Sequence, residues 1–190
     1  MHFSKLTAAV VISAAILIQA LNTVSYSDPG SGLEISLAIP DVQSAPFPLY
    51  MTFTAPIEVG WGGFATGGCM LRSPLIVAWP NNNSVTVTTR WAKYYHAPTP
   101  YLNTAIAVKS SSVNATHWTA TFLCSKGCSD WYGGSIDPSY NNGTFGYAAS
   151  SEVPAAPGNA STAIRFHDLA YGHFDWDLTK AKNPGSTVFG

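Results

Sequence analysis

Charged side chains are scarce in this sequence. Asp, Glu, Lys and Arg make up 10% of its 190 residues, where an average soluble domain carries about 25%. The formal net charge is −1, which excludes the dense positive surface that grips nucleic acid or an anionic membrane. Hydrolytic motifs are missing as well. There is no Gly-x-Ser-x-Gly elbow, no His-Glu-x-x-His, and too few acids to pair as glycosidase carboxylates. No dinucleotide fingerprint, internal repeat or low-complexity tail is present. Helical periodicity never persists beyond two turns, so a helical bundle is excluded.

Long apolar runs are confined to the start of the chain. His2 and Lys5 form a weakly basic opening, Leu6 to Ile18 is almost wholly apolar, and small or polar residues follow from Gln19 to Ser25. A stretch this short does not span a bilayer comfortably and has the build of a secretory signal peptide. Residues 1–25 are assigned to that leader, with cleavage after Ala20 or after Ser25, and residues 26–190 to one domain. Eight basic residues then face ten acidic ones. The mature protein is expected to be secreted, soluble and monomeric, with no membrane or nucleic-acid partner. Sequons at Asn82, Asn114, Asn142 and Asn159 lie in polar, turn-like settings. On an exported chain they are N-glycosylation sites, and glycans there would replace the solubility that charge does not supply.

Three cysteines are an odd number for an exported protein. Cys124 and Cys128 flank Ser-Lys-Gly, and Gly127 permits the tight loop that so short a bridge needs. They are read as a disulfide formed in an oxidising compartment. Cys69 is left over and is read as a buried free thiol acting as a small hydrophobe.

What remains is a succession of short strands. Leu33, Ile35, Leu37 and Ile39 alternate with Glu34, Ser36 and Ala38, and Leu49, Met51 and Phe53 alternate with Tyr50, Thr52 and Thr54. That period of two marks half-buried strands. A glycine-broken strand follows at Ile57–Phe64, a fully buried one at Leu75–Trp79 and a β-branched one at Val85–Trp91, with weaker strands at Thr104–Val108, Trp118–Cys124 and Phe145–Ala149. Turn signals recur every eight to twelve residues, so the fold is all-β, an antiparallel sandwich.

Candidate chemistry sits in two places. Gly67-Gly68-Cys69-Met70 turns into the Leu75–Trp79 strand, and far downstream His167-Asp168-Leu169-Ala170-Tyr171-Gly172-His173-Phe174 carries two histidines in a glycine-containing segment. A Met thioether and a His imidazole meeting in space form the axial pair of an electron-transfer haem. Met51 lies on the apolar face of its strand and is core, which leaves Met70. His117 stands at a polar alternate position and faces solvent. His167 and His173 can both reach a ligand, and His96 lies in a Pro-rich loop. No Cys-x-x-Cys-His occurs, so a haem would be held without thioether links.

Several blocks, in order and roughly in register, resemble the N-terminal cytochrome domain of fungal cellobiose dehydrogenase. They are Gly67–Met70, Leu75–Trp79, Thr89–Ala92, Tyr95–Tyr101, Asn114–Trp118, Phe122–Trp131 and His167–Phe174, covering about residues 28 to 182. The resemblance implies an immunoglobulin-like β-sandwich holding one haem b, with Met70 and His167 as axial ligands. Tyr95 and Tyr101 are candidates for the cofactor's surroundings, because Tyr offers both an apolar wall and a hydrogen-bond donor. Trp91 and Arg90 are weaker candidates, Arg90 as a propionate partner. The resemblance further implies an electron-transfer module rather than an enzyme. Its donor would be a flavin-dependent sugar dehydrogenase, and its acceptor a copper polysaccharide monooxygenase or a ferric complex. Two departures are visible. The segment after His167 is one residue longer than the family's, which makes His173 the substitute ligand, and the cysteine pair encloses three residues instead of two. The reading from a different class is a haem-free sandwich that binds a sugar or an aromatic molecule in the same hollow.

Overall fold

A computed structural model describes residues 20–190. The assigned leader falls mostly outside the described residues. Fourteen strands follow one another: β1 (Val24–Ser27), β2 (Glu34–Pro40), β3 (Leu49–Pro56), β4 (Trp61–Ala65), β5 (Leu75–Asn81), β6 (Ser84–Trp91), β7 (Thr99–Pro100), β8 (Ala105–Val113), β9 (His117–Lys126), β10 (Asp130–Trp131), β11 (Gly134–Ser135), β12 (Gly143–Ser150), β13 (Ala170–Trp176) and β14 (Lys182–Asn183). Two sheets face each other. One runs β1-β2-β3-β9-β8, with β14 added to β2, and the other runs β13-β12-β4-β5-β6-β7. Pairing is antiparallel throughout both sheets except for the β14–β2 contact, which is parallel. The expected all-β antiparallel sandwich is the observed fold, and among the described residues the only helical turns are two short 3-10 segments.

Alternation in sequence becomes the two faces of each strand. In β3, Leu49, Met51, Phe53 and Ala55 are buried while Tyr50, Thr52 and Thr54 are half-buried. Facing threonines then pair their hydroxyls across to β9, Thr52 with Thr121 at 3.0 Å and Thr54 with Thr119 at 3.1 Å. Met51 lies fully in the core, as its position on the apolar face requires. Trp118 is buried and donates its indole N–H to the carbonyl of Val59 at 2.8 Å, whereas His117 beside it is exposed. From the second sheet, Phe64, Phe145, Phe174 and Trp176 reach into the same core, with ring centroids 4.8 to 6.3 Å apart.

Three differences from the sequence reading have physical causes. Residues 57–60 are a turn, and β4 begins only at Trp61. Gly60 donates to the carbonyl of Ser150, and a Cβ there would stand 2.4 Å from the backbone of Glu152, so this glycine lets two chains cross. Ala170–Trp176 forms a full strand against β12. Val24–Ser27 forms an edge strand against β2. The Cys124–Cys128 disulfide is present, closing a loop in which Gly127 has φ +74° and passes against the carbonyl of Asn103.

Candidate functional site

The outer face of the second sheet is built differently from its inner face. Register places Ala65 beside Gly146 and Leu75, and Gly63 beside Ala148 and Val77. Side chains that pair across an antiparallel ladder share a face, so glycine and alanine cover the middle of this sheet on its outer side. Larger residues rise around them. Trp61, Val77, Trp79 and Ile164 form a separate apolar cluster with Leu75 and Ala148 packed against it. The result is a cavity of about 600 Å³ with a floor of small residues and walls of Trp, Leu, Val and Ile, within the span of small-molecule and cofactor sites.

Two segments close the cavity, and each carries one of the candidate ligands. The first is the turn at 66–74. Gly68 has φ +80°, and Gly146 comes so close that a Cβ on it would meet the Gly68 carbonyl at 2.7 Å. Thr66 donates its N–H to the carbonyl of Pro74, Ser73 donates its hydroxyl to the carbonyl of Cys69 at 2.9 Å, and Leu71 bridges to Ala92. Met70, at the tip, is half-buried and lines the cavity. Cys69 lines it too but is exposed, which corrects the reading of a buried thiol. A surface turn, and not the core, holds that residue.

The second segment comes from the loop at 153–169. Arg90 is buried and donates to the carbonyls of Ala160 and Thr162 at 2.8 and 2.7 Å, with its guanidinium 5.7 Å from the Trp79 ring. Trp79 and Thr86 both donate to the carbonyl of Pro157 at 2.8 Å. Arg90 thus straps the loop down instead of facing a propionate or solvent. His167 follows, clamped on both sides by the end of β12. Ser150 donates its hydroxyl to the carbonyl of Phe166 at 3.1 Å, and Ser151 donates its N–H and hydroxyl to the Asp168 carboxylate at 2.8 and 2.7 Å. The Ser151 bonds hold that carboxyl down at about 2. The His167 ring packs between Phe166 and Tyr171 at centroid distances of 4.0 and 4.5 Å.

Met70, His167 and Tyr95 therefore line one cavity, although they are far apart in sequence. Tyr95 is exposed at its rim. Tyr101 is not among the lining residues and stacks on Trp91 at 4.9 Å instead. His96 and His173 also line the cavity, and both are exposed. His167 differs from them in one respect: its Nδ1 is buried and has no hydrogen-bond partner. Such an unsatisfied nitrogen costs about 1–3 kcal/mol. Burial also pushes the imidazole below its ordinary value and so favours the neutral form, which is the form that binds metals.

Sequence reasoning missed the small-residue floor, the walls at Trp61 and Ile164, and Arg165, the one cationic side chain of Lys or Arg type in the lining. No Asp or Glu lines the cavity, so its rim suits an anionic group. Among the described residues no three His, Cys, Asp or Glu side chains cluster closely enough to hold a bare metal ion. A metal between Met70 and His167 would need its other donors from a macrocycle. The residues present fit one: a flat floor, apolar walls, a thioether, and a neutral imidazole with an unpaired ring nitrogen.

Fold and cavity together define a small cofactor-binding β-sandwich. The profile described as the cytochrome domain of cellobiose dehydrogenase matches residues 18–185, and the chain belongs to that family. Membership makes it a cytochrome-type domain, which implies haem binding and electron transfer and does not favour the haem-free reading. The chain is similar to the cytochrome domain of Myriococcum thermophilum cellobiose dehydrogenase, with 29% identity, a TM-score of 0.77, and 86% of this chain and 85% of that one covered. It shares the fold of the cytochrome b domain of pyranose dehydrogenase from Coprinopsis cinerea, with 24% identity, a TM-score of 0.78, and 87% and 85% covered. A pyrroloquinoline quinone-dependent pyranose dehydrogenase of Coprinopsis cinerea is 29% identical over 133 residues, 68% of this chain. The chain spans 18% of the length of that relative.

Proposed function

We propose that this protein is a secreted b-type cytochrome that carries single electrons, with Met70 and His167 as the axial ligands of a non-covalently held haem. The supporting observation is the convergence, on one apolar cavity with a small-residue floor, of a thioether and an imidazole whose Nδ1 is buried and has no hydrogen-bond partner. A bound haem supplies a reversible one-electron iron couple, and neutral Met and His donors favour its reduced state relative to two histidines. The protein's own part is positioning. The Gly67–Ser73 turn fixes Met70, the Ser150–Ser151 clamp fixes His167, and Trp61, Val77 and Ile164 exclude water. A haem held by both side chains would leave no iron position for a substrate, so the chain would act as an electron carrier and not as an enzyme in its own right. Arg165 and Tyr95, at the rim, are placed to face the anionic edge of the cofactor.

The proposed electron donor is a sugar dehydrogenase, flavin-dependent as in cellobiose dehydrogenase or quinone-dependent as in the Coprinopsis relative. The acceptor is a copper polysaccharide monooxygenase or a ferric complex. Export follows from the leader, and the contacts of the edge strand support cleavage after Ala20. Val24 and Ser25 pair with Leu37 and Ser36, and Asn22 exchanges hydrogen bonds with Asn183 at 2.7 and 2.9 Å. Cleavage after Ala20 keeps these contacts, whereas cleavage after Ser25 removes them. Asn82, Asn114, Asn142 and Asn159 are all exposed, as glycosylation requires.

The test is the colour of the purified protein and the fate of single variants. Reduced wild type should show the sharp visible bands of six-coordinate haem. His167→Ala should lose or disorder the haem while His173→Ala keeps it. The opposite pattern moves the ligand six positions. Protein that stays colourless and refuses added haemin overturns the proposal.

A further inference from the structure

We propose that the second cleft of the molecule seats the first sugar of an N-glycan on Asn142, and that this sugar stabilises the folded domain. The inference rests on the export proposed above. It goes further in singling out one sequon of four as a built site.

The cleft lies at the start of β12, on the far side of the 66–74 turn from the larger cavity. It encloses about 420 Å³, and Tyr140, Asn142, Thr144, Trp131 and Ser135 are among its lining residues. Tyr140 stands two residues before the glycosylated amide and Thr144 two after it. At the other three sequons the matching upstream residue is Pro80, Ser112 or Pro157, none of them aromatic. The Tyr140 backbone is fixed, its N–H donating to Asp137 and its carbonyl accepting from the N–H of Leu178 at 2.8 Å. Its ring lies against Gly143, where a Cβ would stand 3.0 Å from Cδ2. The middle residue of the sequon is therefore glycine for a packing reason: it lets the ring lie beside the asparagine. Tyr140 is nonetheless 47% exposed, although it lines a cleft.

A pyranose offers one face of C–H groups to an aromatic ring and a rim of hydroxyls to polar neighbours. Tyr140 supplies the ring, and Ser135 and Trp131 line the same cleft. A sugar tethered to Asn142 is already local, so docking gives up little translational freedom. Attachment forms a bond from the sugar's C1 to Nδ2 of Asn142 and breaks the bond from C1 to a lipid-linked pyrophosphate. The pyrophosphate leaves with the electron pair, and the amide gives up one proton. Thr144 is held by a 2.6 Å bond from its hydroxyl to Asp175 in the folded protein, so attachment belongs to the nascent chain and docking to the folded one.

The experiment uses the full chain secreted from a glycosylating eukaryotic host, with glycans trimmed enzymatically to one N-acetylglucosamine. Mass spectrometry reads occupancy at each sequon, and thermal unfolding compares wild type, Asn142→Gln, Tyr140→Ala and the double variant. Asn142 should be occupied, and Asn142→Gln should lower the midpoint by roughly 2–4 °C for a domain of this size. On the Tyr140→Ala background the same change should have no further effect, while Tyr140→Phe should preserve it. Ser161→Ala, which removes the sequon at Asn159 on an exposed residue, should leave the midpoint unchanged. In protein from a non-glycosylating host Asn142→Gln should be silent. An occupied Asn142 with equal midpoints with and without sugar overturns the proposal. So does sugar on the other sequons with none on Asn142, an outcome that leaves export intact. No sugar anywhere, with the chain retained inside the cell, overturns export and this inference together.

Discussion

The two faces of the second sheet share one backbone and serve different ends. Inward, β4 and β12 present Phe64 and Phe145, stacked at 5.3 Å and sealed into the core. Outward, the same strands present Gly63, Ala65, Gly146 and Ala148. Large side chains on one face bury apolar area and hold the sandwich together. Small ones on the other leave room for a flat guest. Folding free energy and cofactor capacity are thus separated by the period of two, and each can be altered without the other.

The strongest way to break that separation is from the inside. Phe145→Ala should cost about 3–5 kcal/mol, read as a lower denaturation midpoint of the cofactor-free protein. Gly63→Leu approaches from the outside. A Cβ at Gly63 meets only ordinary contacts, the nearest at 3.4 Å from the Trp61 ring, so the cofactor-free protein should keep its stability to within about 1 kcal/mol. Haemin uptake, followed by titration in visible light, should fail. If Gly63→Leu unfolds the protein as Phe145→Ala does, the two faces are not independent. Ser151→Ala removes the hydroxyl half of the clamp on Asp168 and leaves the backbone N–H bond in place. It should cost about 1 kcal/mol of stability and broaden the ligand field of the bound iron, seen as spread signals in electron paramagnetic resonance. The smallest effect is expected at Asp28. This buried carboxyl is pushed up by desolvation but pulled down further by Ser31 and by the Tyr147 hydroxyl at 2.8 Å, for a net lowering. A depressed carboxyl stabilises the fold above its unfolded value near 3.8 and loses that contribution as pH falls through the folded value. The stability gap between wild type and Asp28→Asn, measured by denaturant melts, should therefore be constant near neutrality and close only in strong acid.

The sandwich was legible because β2, β3, β5, β6 and β9 alternate or are largely apolar or β-branched, and burial follows the alternation most closely in β3 and β9. β13 was not, because Gly172 takes an inward position while Tyr171 and His173 point outward, which disguises its alternation. β1 lay too close to the leader, and its four residues hold only two apolar side chains. The floor of the cavity left no trace in hydropathy, since glycine and alanine mark neither face. Arg90 read as a solvated strand end because its partners, the carbonyls of Ala160 and Thr162, are about seventy residues away and carry no side-chain signal. Met70 and His167 were singled out as candidates through resemblance and elimination, and both line the same cavity.

The most direct test of that meeting is carbon monoxide binding by the reduced, haem-loaded protein. If Met70 and His167 fill both ligand positions, wild type should refuse the gas and Met70→Ala should bind it with a new Soret band. A Met70→Ala spectrum identical to wild type, with no uptake of carbon monoxide, would show that the thioether does not reach the iron.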